Sequence, residues 1–254
     1  MRNGLAPGYN APLTTASTAG YVAFRDNRPL HWMCALGALA IGLSAYHPER
    51  VFDFFLENAT ASAFMITLAL TYRRLPLSHL SYALLLGYLC LHEWGAHFKY
   101  SDVPLGEWMK PWLHTQRNNY DRVVHFAFGF LLCYPFQEMF TRAVGVRGRW
   151  RYILPLETIL ALSAIYEMLE AFMASILSPE RAEEFVGMQG DIWDSQKDMF
   201  DAGLGAVVGL VLLLATRSIL ARARLRFQPA SATEVLIQSA AVVAETVPAE
   251  REES

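Results

Sequence analysis

Residues Gly190–Gly209 read GDIWDSQKDMFDAGLGAVVG, and the chain continues from Leu210 as LVLLLA. Asp191, Asp194, Asp198 and Asp201 stand just before and inside a segment apolar enough for hydrocarbon. Asp194 and Asp198 are four residues apart and Asp198 and Asp201 three, and the same helical face continues through Gly205 and Gly209. Small residues four apart let a neighbouring backbone approach closely. The aspartates therefore point into a helix bundle rather than at lipid.

The whole chain carries this pattern. Hydrophobic residues make up 54% of it and charged residues 18%, too apolar a balance for an ordinary soluble domain of 254 residues. Apolar runs cover Leu30–Tyr46, Val51–Tyr72, Leu77–His97, Tyr120–Phe140, Tyr152–Leu177 and Asp198–Arg217. Each is close to the roughly 17–25 residues that cross about 30 Å of hydrocarbon. The expected fold is all-α, a polytopic membrane helix bundle with six transmembrane helices. Residues 1–28 are expected to be a disordered tail, 29–222 the transmembrane domain, and 223–254 a mostly disordered second tail.

Arg25 and Arg28, Arg73 and Arg74, Arg142 to Arg151, and Arg217 to Arg226 flank alternate ends of these spans. With six spans they fall on one side, which the bias of basic residues makes cytoplasmic, so both termini are expected inside a bacterial inner membrane. A net charge of −3 without a basic field argues against nucleic acid as a partner and leaves membrane lipids. Cys34, Cys90 and Cys133 lie in apolar runs without metal-type spacing and are expected to be buried thiols.

Depth arithmetic gathers the polar residues. At 1.5 Å per residue, Asp201 lies about 24 Å from the arginine-rich end of its span, Glu167 about 24 Å and Glu170 about 28 Å along theirs. His92 and Glu93 fall at about 24–26 Å and Glu57 at about 22–24 Å. His125 lies one turn inside Asp121. Ionisable groups on five of six helices thus share one layer toward the outer face. Carboxylates there need cations, protons or water.

A histidine and carboxylate mixture suits Zn or Mn, whose bound water a further carboxylate can deprotonate. The expected metal ligands are His92, His97, His125 and Asp198. Glu167 is expected to be the base, and Asp121 to orient His125 or join the ligands. Glu57, Glu93, Arg122, Glu170, Asp194 and Asp201 complete the polar layer. HEWGAH departs from HExxH, because its histidines are five apart and so about 140° apart on a helix.

LHEWGAHF (91–98), YDRVVHFAFGFLLCYP (120–135), AIYEMLEA (164–171) and the 190–209 stretch together resemble the YjdF-type family of bacterial inner-membrane proteins, over about Leu30 to Leu220. The resemblance implies six membrane spans and brings no reaction with it. The layout of Asp121, His125, Glu167, Asp198 and Gly205 is also similar, more distantly, to VanZ-like membrane proteins. Three functions follow from the polar layer. One is a metal-dependent hydrolase acting on a lipid or envelope substrate at the outer leaflet. Another is a proton- or cation-coupled transporter, which the off-centre layer and absence of an internal repeat disfavour. The third is a non-catalytic protein clamped by polar contacts.

Overall fold

The computed structural model describes residues 22–226, so the expected tails lie outside the described residues except for 22–28 and 223–226. The chain divides into two compact units, Met1–Val211 and Leu212–Ser254, and the site lies wholly in the first. The described residues form eight α-helices, two 3-10 turns and no strand. The helices are α1 (Arg28–Ser44), α2 (Val51–Thr71), α3 (His79–Phe98), α4 (Pro104–Leu113), α5 (Tyr120–Ala143), α6 (Trp150–Ile176), α7 (Pro179–Val186) and α8 (Asp194–Arg226).

Four of them, α2, α5, α6 and α8 from Asp194 to Arg222, are long and apolar enough to cross a membrane. α1 has 17 residues, about 26 Å, and α3 carries His92, Glu93 and His97 in its last two turns; neither is among the four. Large apolar side chains are exposed along the spans, Leu70, Phe172 and Val211 among them, as lipid contact requires.

α5 is the hub, with more than half of its apolar stretch buried against less than a quarter in the other three. The main core joins Leu85 of α3, Leu132, Cys133 and Phe136 of α5, Ile159 of α6, and Ala202, Ala206 and Leu210 of α8. α8 reaches this core through its small residues. A Cβ on Gly205 would overlap the Phe126 carbonyl oxygen of α5, and one on Gly129 of α5 would overlap the Ala202 carbonyl oxygen. The ridge through Gly205 therefore brings the two backbones together, and it draws Asp198, two turns earlier, against the start of α5.

The opposite, arginine-rich end has its own clamp. Glu138 on α5 accepts from the backbone N–H of Ser78 at 3.0 Å, from both Ser78 and Ser81 hydroxyls, and pairs with Arg142 at 3.1 Å. A carboxylate at the start of α3 satisfies helix N–H groups that have no intrahelical partner.

Candidate functional site

Three helices build the centre. α5 starts at Tyr120, which places Asp121 in its first turn and His125 one turn deeper on the same face. α6 contributes Glu167, and α8 contributes Asp194 and, one turn on, Asp198. Asp121, His125 and Asp198 each offer one ligand atom, and the three atoms lie within 4.8 Å of one another. His125 Nε2 is 3.6 Å from Asp121 Oδ1 and 3.5 Å from Glu167 Oε1. Donors arranged tetrahedrally at about 2.1 Å from a metal ion stand roughly 3.4 Å from one another, close to the 3.6 Å between His125 and Asp121.

The centre is short of positive charge. Asp198 is 2% exposed and Glu167 6%, and neither Asp198 Oδ1 nor Glu167 Oε1 has a hydrogen-bond partner among the described residues. Leaving such oxygens buried and unpaired is costly. The nearby cations are occupied one layer further out. Arg117 Nη2 lies 2.6 Å from Asp194 Oδ1, and Arg122 Nη2 lies 3.1 Å from the same oxygen and 2.7 Å from Asp191 Oδ2. Lys197 Nζ also reaches Asp191, at 2.6 Å. The Lys197 hydrogen bond, with the Trp193 N–H and Arg122, holds the Asp191 carboxyl down at about 2.

This charged layer ties the 187–193 loop to the connection before α5. Arg117 Nη1 donates to the Met188 carbonyl at 2.5 Å. Gln189, at a left-handed φ of 50°, accepts from the Asn118 N–H at 2.9 Å and donates to the Asn118 carbonyl at 3.1 Å. Arg117 and Gln189 give no signal in the sequence, because both sit in connections where spacing carries no facial information.

The other residues of the polar layer separate. His97 Nδ1 donates to the Ser44 carbonyl at 2.8 Å, and the Ser44 hydroxyl donates to the Glu93 carbonyl at 2.7 Å, so that face of α3 fastens α1. His92, 140° round the helix from His97, instead meets the Tyr100 hydroxyl, 2.6 Å from its Nδ1. Glu57 accepts from the Tyr166 hydroxyl at 2.5 Å. Asp201 lines a separate cavity with Arg122, Met109 and Phe126. The structure thus gathers His125, Asp198, Asp121 and Glu167, and ties His97 to α1 and His92 to Tyr100. Of the tyrosines that sequence reasoning missed, Tyr166 was within reach, being adjacent to Glu167 and four residues before Glu170.

Two cavities meet at the centre. An apolar one of about 220 Å³ lies between α2, α3, α5 and α6, with Asp121, His125, His92, Tyr100 and Tyr166 at its polar end. A smaller polar one is lined by Asp53, Glu57, Lys99, Glu170 and Gln189, and shares Tyr100, Asp121 and Tyr166 with the first. The Tyr100 phenol is pushed well up by its burial and so stays protonated.

A helix bundle with spans of this length and a buried polar centre at one end defines an integral membrane protein. Residues 29–218 match the family described as "Predicted membrane protein (DUF2238)", and the chain belongs to it. It is 38% identical over 144 residues to inner membrane protein YjdF of Escherichia coli (strain K12), a stretch covering 56% of this chain and 68% of that protein. This bears out the YjdF-type resemblance of the sequence motifs. No solved structure matches the chain.

Proposed function

We propose that this is a six-span inner-membrane protein whose acidic end forms a divalent metal centre, Zn or Mn, for hydrolysis of a lipid or lipid-linked envelope substrate at the outer leaflet. One observation carries the reading. Ligand atoms of Asp121, His125 and Asp198 converge within 4.8 Å, Asp121 and His125 line the polar end of an apolar cavity, and a buried Asp198 oxygen has no hydrogen-bond partner among the described residues. The inner-membrane assignment follows the relative's printed name, and the orientation follows the arginines at the other end of the bundle.

Asp121, His125 and Asp198 would hold the ion and leave room for a water, as catalytic sites require. The dication would supply acidification of that water. Glu167, 3.5 Å from His125, is the base. It takes the proton as the water oxygen bonds to the ester phosphorus or carbonyl carbon, then returns it to the leaving alcohol as the ester bond breaks. Water and ester become acid and alcohol.

The test is the metal content of purified protein by elemental mass spectrometry, wild type beside His125→Ala and Asp198→Asn. Near-stoichiometric Zn or Mn in the wild type, falling in both variants, is expected. Metal-free wild-type protein that is folded and remains so after Zn or Mn is supplied overturns the reading.

A further inference from the structure

The two cavities have opposite chemistry, and their junction is the centre itself. The apolar one runs along α5 from His125 to Phe136, about 16 Å of helix, and its deep wall is Leu85, Leu89, Val124, Leu132 and Phe136. Its side is open. Met65 on α2 and Leu162, Ile165 and Leu169 on α6 line it and are yet 37–47% exposed, so the wall between α2 and α6 parts toward the bilayer. Near its polar end these two helices are joined by the Tyr166–Glu57 hydrogen bond. A volume of about 220 Å³ lies below the roughly 300–1,000 Å³ of pockets that engulf whole drug-sized ligands. It suits one slender chain entering sideways.

The polar cavity is acidic. Glu57, Asp121, Glu170 and Asp53 line it against a single lysine, Lys99, which pairs outward with Asp102 at 3.0 Å, while Asp53 pairs with Arg50 at 2.8 Å. That leaves the Glu57 and Glu170 carboxyls without a lysine or arginine partner in the lining, a pair of acceptors that favours an ammonium over an anionic headgroup. A second observation points to a ligand beside it, where Tyr100 joins the two cavities. His92 is 4% exposed and lines the polar end of the apolar cavity, with Nδ1 taken by Tyr100 and Nε2 without a hydrogen-bond partner among the described residues. In the tautomer in which the Tyr100 hydroxyl donates to Nδ1, Nε2 carries the proton and has no acceptor among the described residues.

We propose that the substrate is a phospholipid with an amine headgroup, one hydrocarbon chain lying in the apolar cavity and the ammonium in the acidic one. The order of the parts then matches the order of the subsites. The phosphate falls between chain and ammonium, as Asp121 falls between the two cavities, and His92 Nε2 donates to a phosphate or ester oxygen. This rests on the metal-hydrolase reading for what happens at Asp121, but the binding arrangement is tested without turnover.

Full-length protein in detergent is mixed with equal amounts of lysophosphatidylethanolamine and lysophosphatidylglycerol of the same chain length. Native mass spectrometry counts the adducts, and metal content is measured on the same samples. Wild type is expected to favour the amine lipid by about tenfold. Ala61→Trp, which fills the apolar cavity from α2, is expected to lose both adducts and keep its metal. Ala61→Leu gives a graded loss and serves where the larger side chain impairs folding. Glu57→Gln with Glu170→Gln is expected to retain lipid and bring the ratio close to one. Equal adducts in the wild type overturn the headgroup assignment, and adducts indifferent to both Ala61 variants overturn the chain site, leaving annular lipid only. Lipid preference without metal sinks the hydrolase and spares the lipid site, whereas metal without preference does the reverse.

Discussion

His125 Nε2 stands 3.5 Å from Glu167 Oε1, although the two residues belong to different helices and Glu167 is not among the three residues whose ligand atoms cluster. A buried carboxylate outside that group, with its Oε1 lacking a hydrogen-bond partner among the described residues, is placed to receive a proton. Glu167→Gln keeps the shape and removes the basicity. The expected outcome is metal content equal to wild type with lipid hydrolysis reduced by about 10²–10⁴-fold. Metal lost together with activity would make Glu167 a ligand instead.

Arg117 is expected to matter for stability more than its place in a connection suggests. Its side chain is 9% exposed and pairs with Asp194, which is 3% exposed. Removing one partner of a buried pair costs about 3–5 kcal/mol, because the remaining charge is left uncompensated. Arg122 still reaches Asp194 at 3.1 Å, so Arg117→Ala belongs at the lower end of that range. Thermal unfolding in detergent should show a clear fall, and adding Asp194→Asn should restore part of it.

Why Arg117 was invisible and Asp198 was not is a matter of periodicity. Asp198, Gly205 and Gly209 recur at helical spacing, so their common face could be deduced without coordinates, and the glycines do meet α5 there. His125 and Glu167 could be placed at one depth by counting residues along their helices. What counting does not supply is rotation. His92 and His97 share a depth and a helix, yet one turns to Tyr100 and the other to Ser44, because the phase of α3 against its neighbours is set by packing with α1 and α5. Arg117, Gln189 and Tyr100 lie in connections, where neither depth nor face is defined until the chain closes. The count of six spans has the same origin. The 17 residues of α1 and the polar last turns of α3 are compatible with spanning but do not reach the length and apolarity of the other four.

The glycine ridge gives a paired comparison. A methyl group on Gly205 meets the Phe126 carbonyl and the Phe130 backbone nitrogen, which cannot move without separating α5 from α8. Overpacking of this kind costs about 1–3 kcal/mol, more than the roughly 1 kcal/mol of helix propensity that Ala gains over Gly. Gly205→Ala is therefore expected to lower the unfolding temperature. Gly42 on α1 has nothing within 4 Å of its added Cβ, so Gly42→Ala is expected to leave stability unchanged or raised. Equal effects of the two substitutions would contradict close approach of α5 and α8.

The Asp191 clamp fixes a pH window for the 187–193 loop. Its carboxyl is depressed to about 2 by Lys197, the Trp193 N–H and Arg122, against about 3.9 for an unperturbed aspartate. A carboxylate lowered in the folded state contributes stability that is complete above the unfolded value and is lost as pH falls through the folded one. The contribution is thus present at pH 4–5 and disappears between about 4 and 2. Hydrogen exchange of the 187–193 amides in reconstituted protein, corrected for intrinsic rates, should show unchanged protection from pH 6 to pH 4 and a loss below. In Lys197→Ala the largest cause of the depression is gone, so the loss should begin at higher pH. Loosening of the wild-type loop already near pH 5 would show that something other than Asp191 holds it.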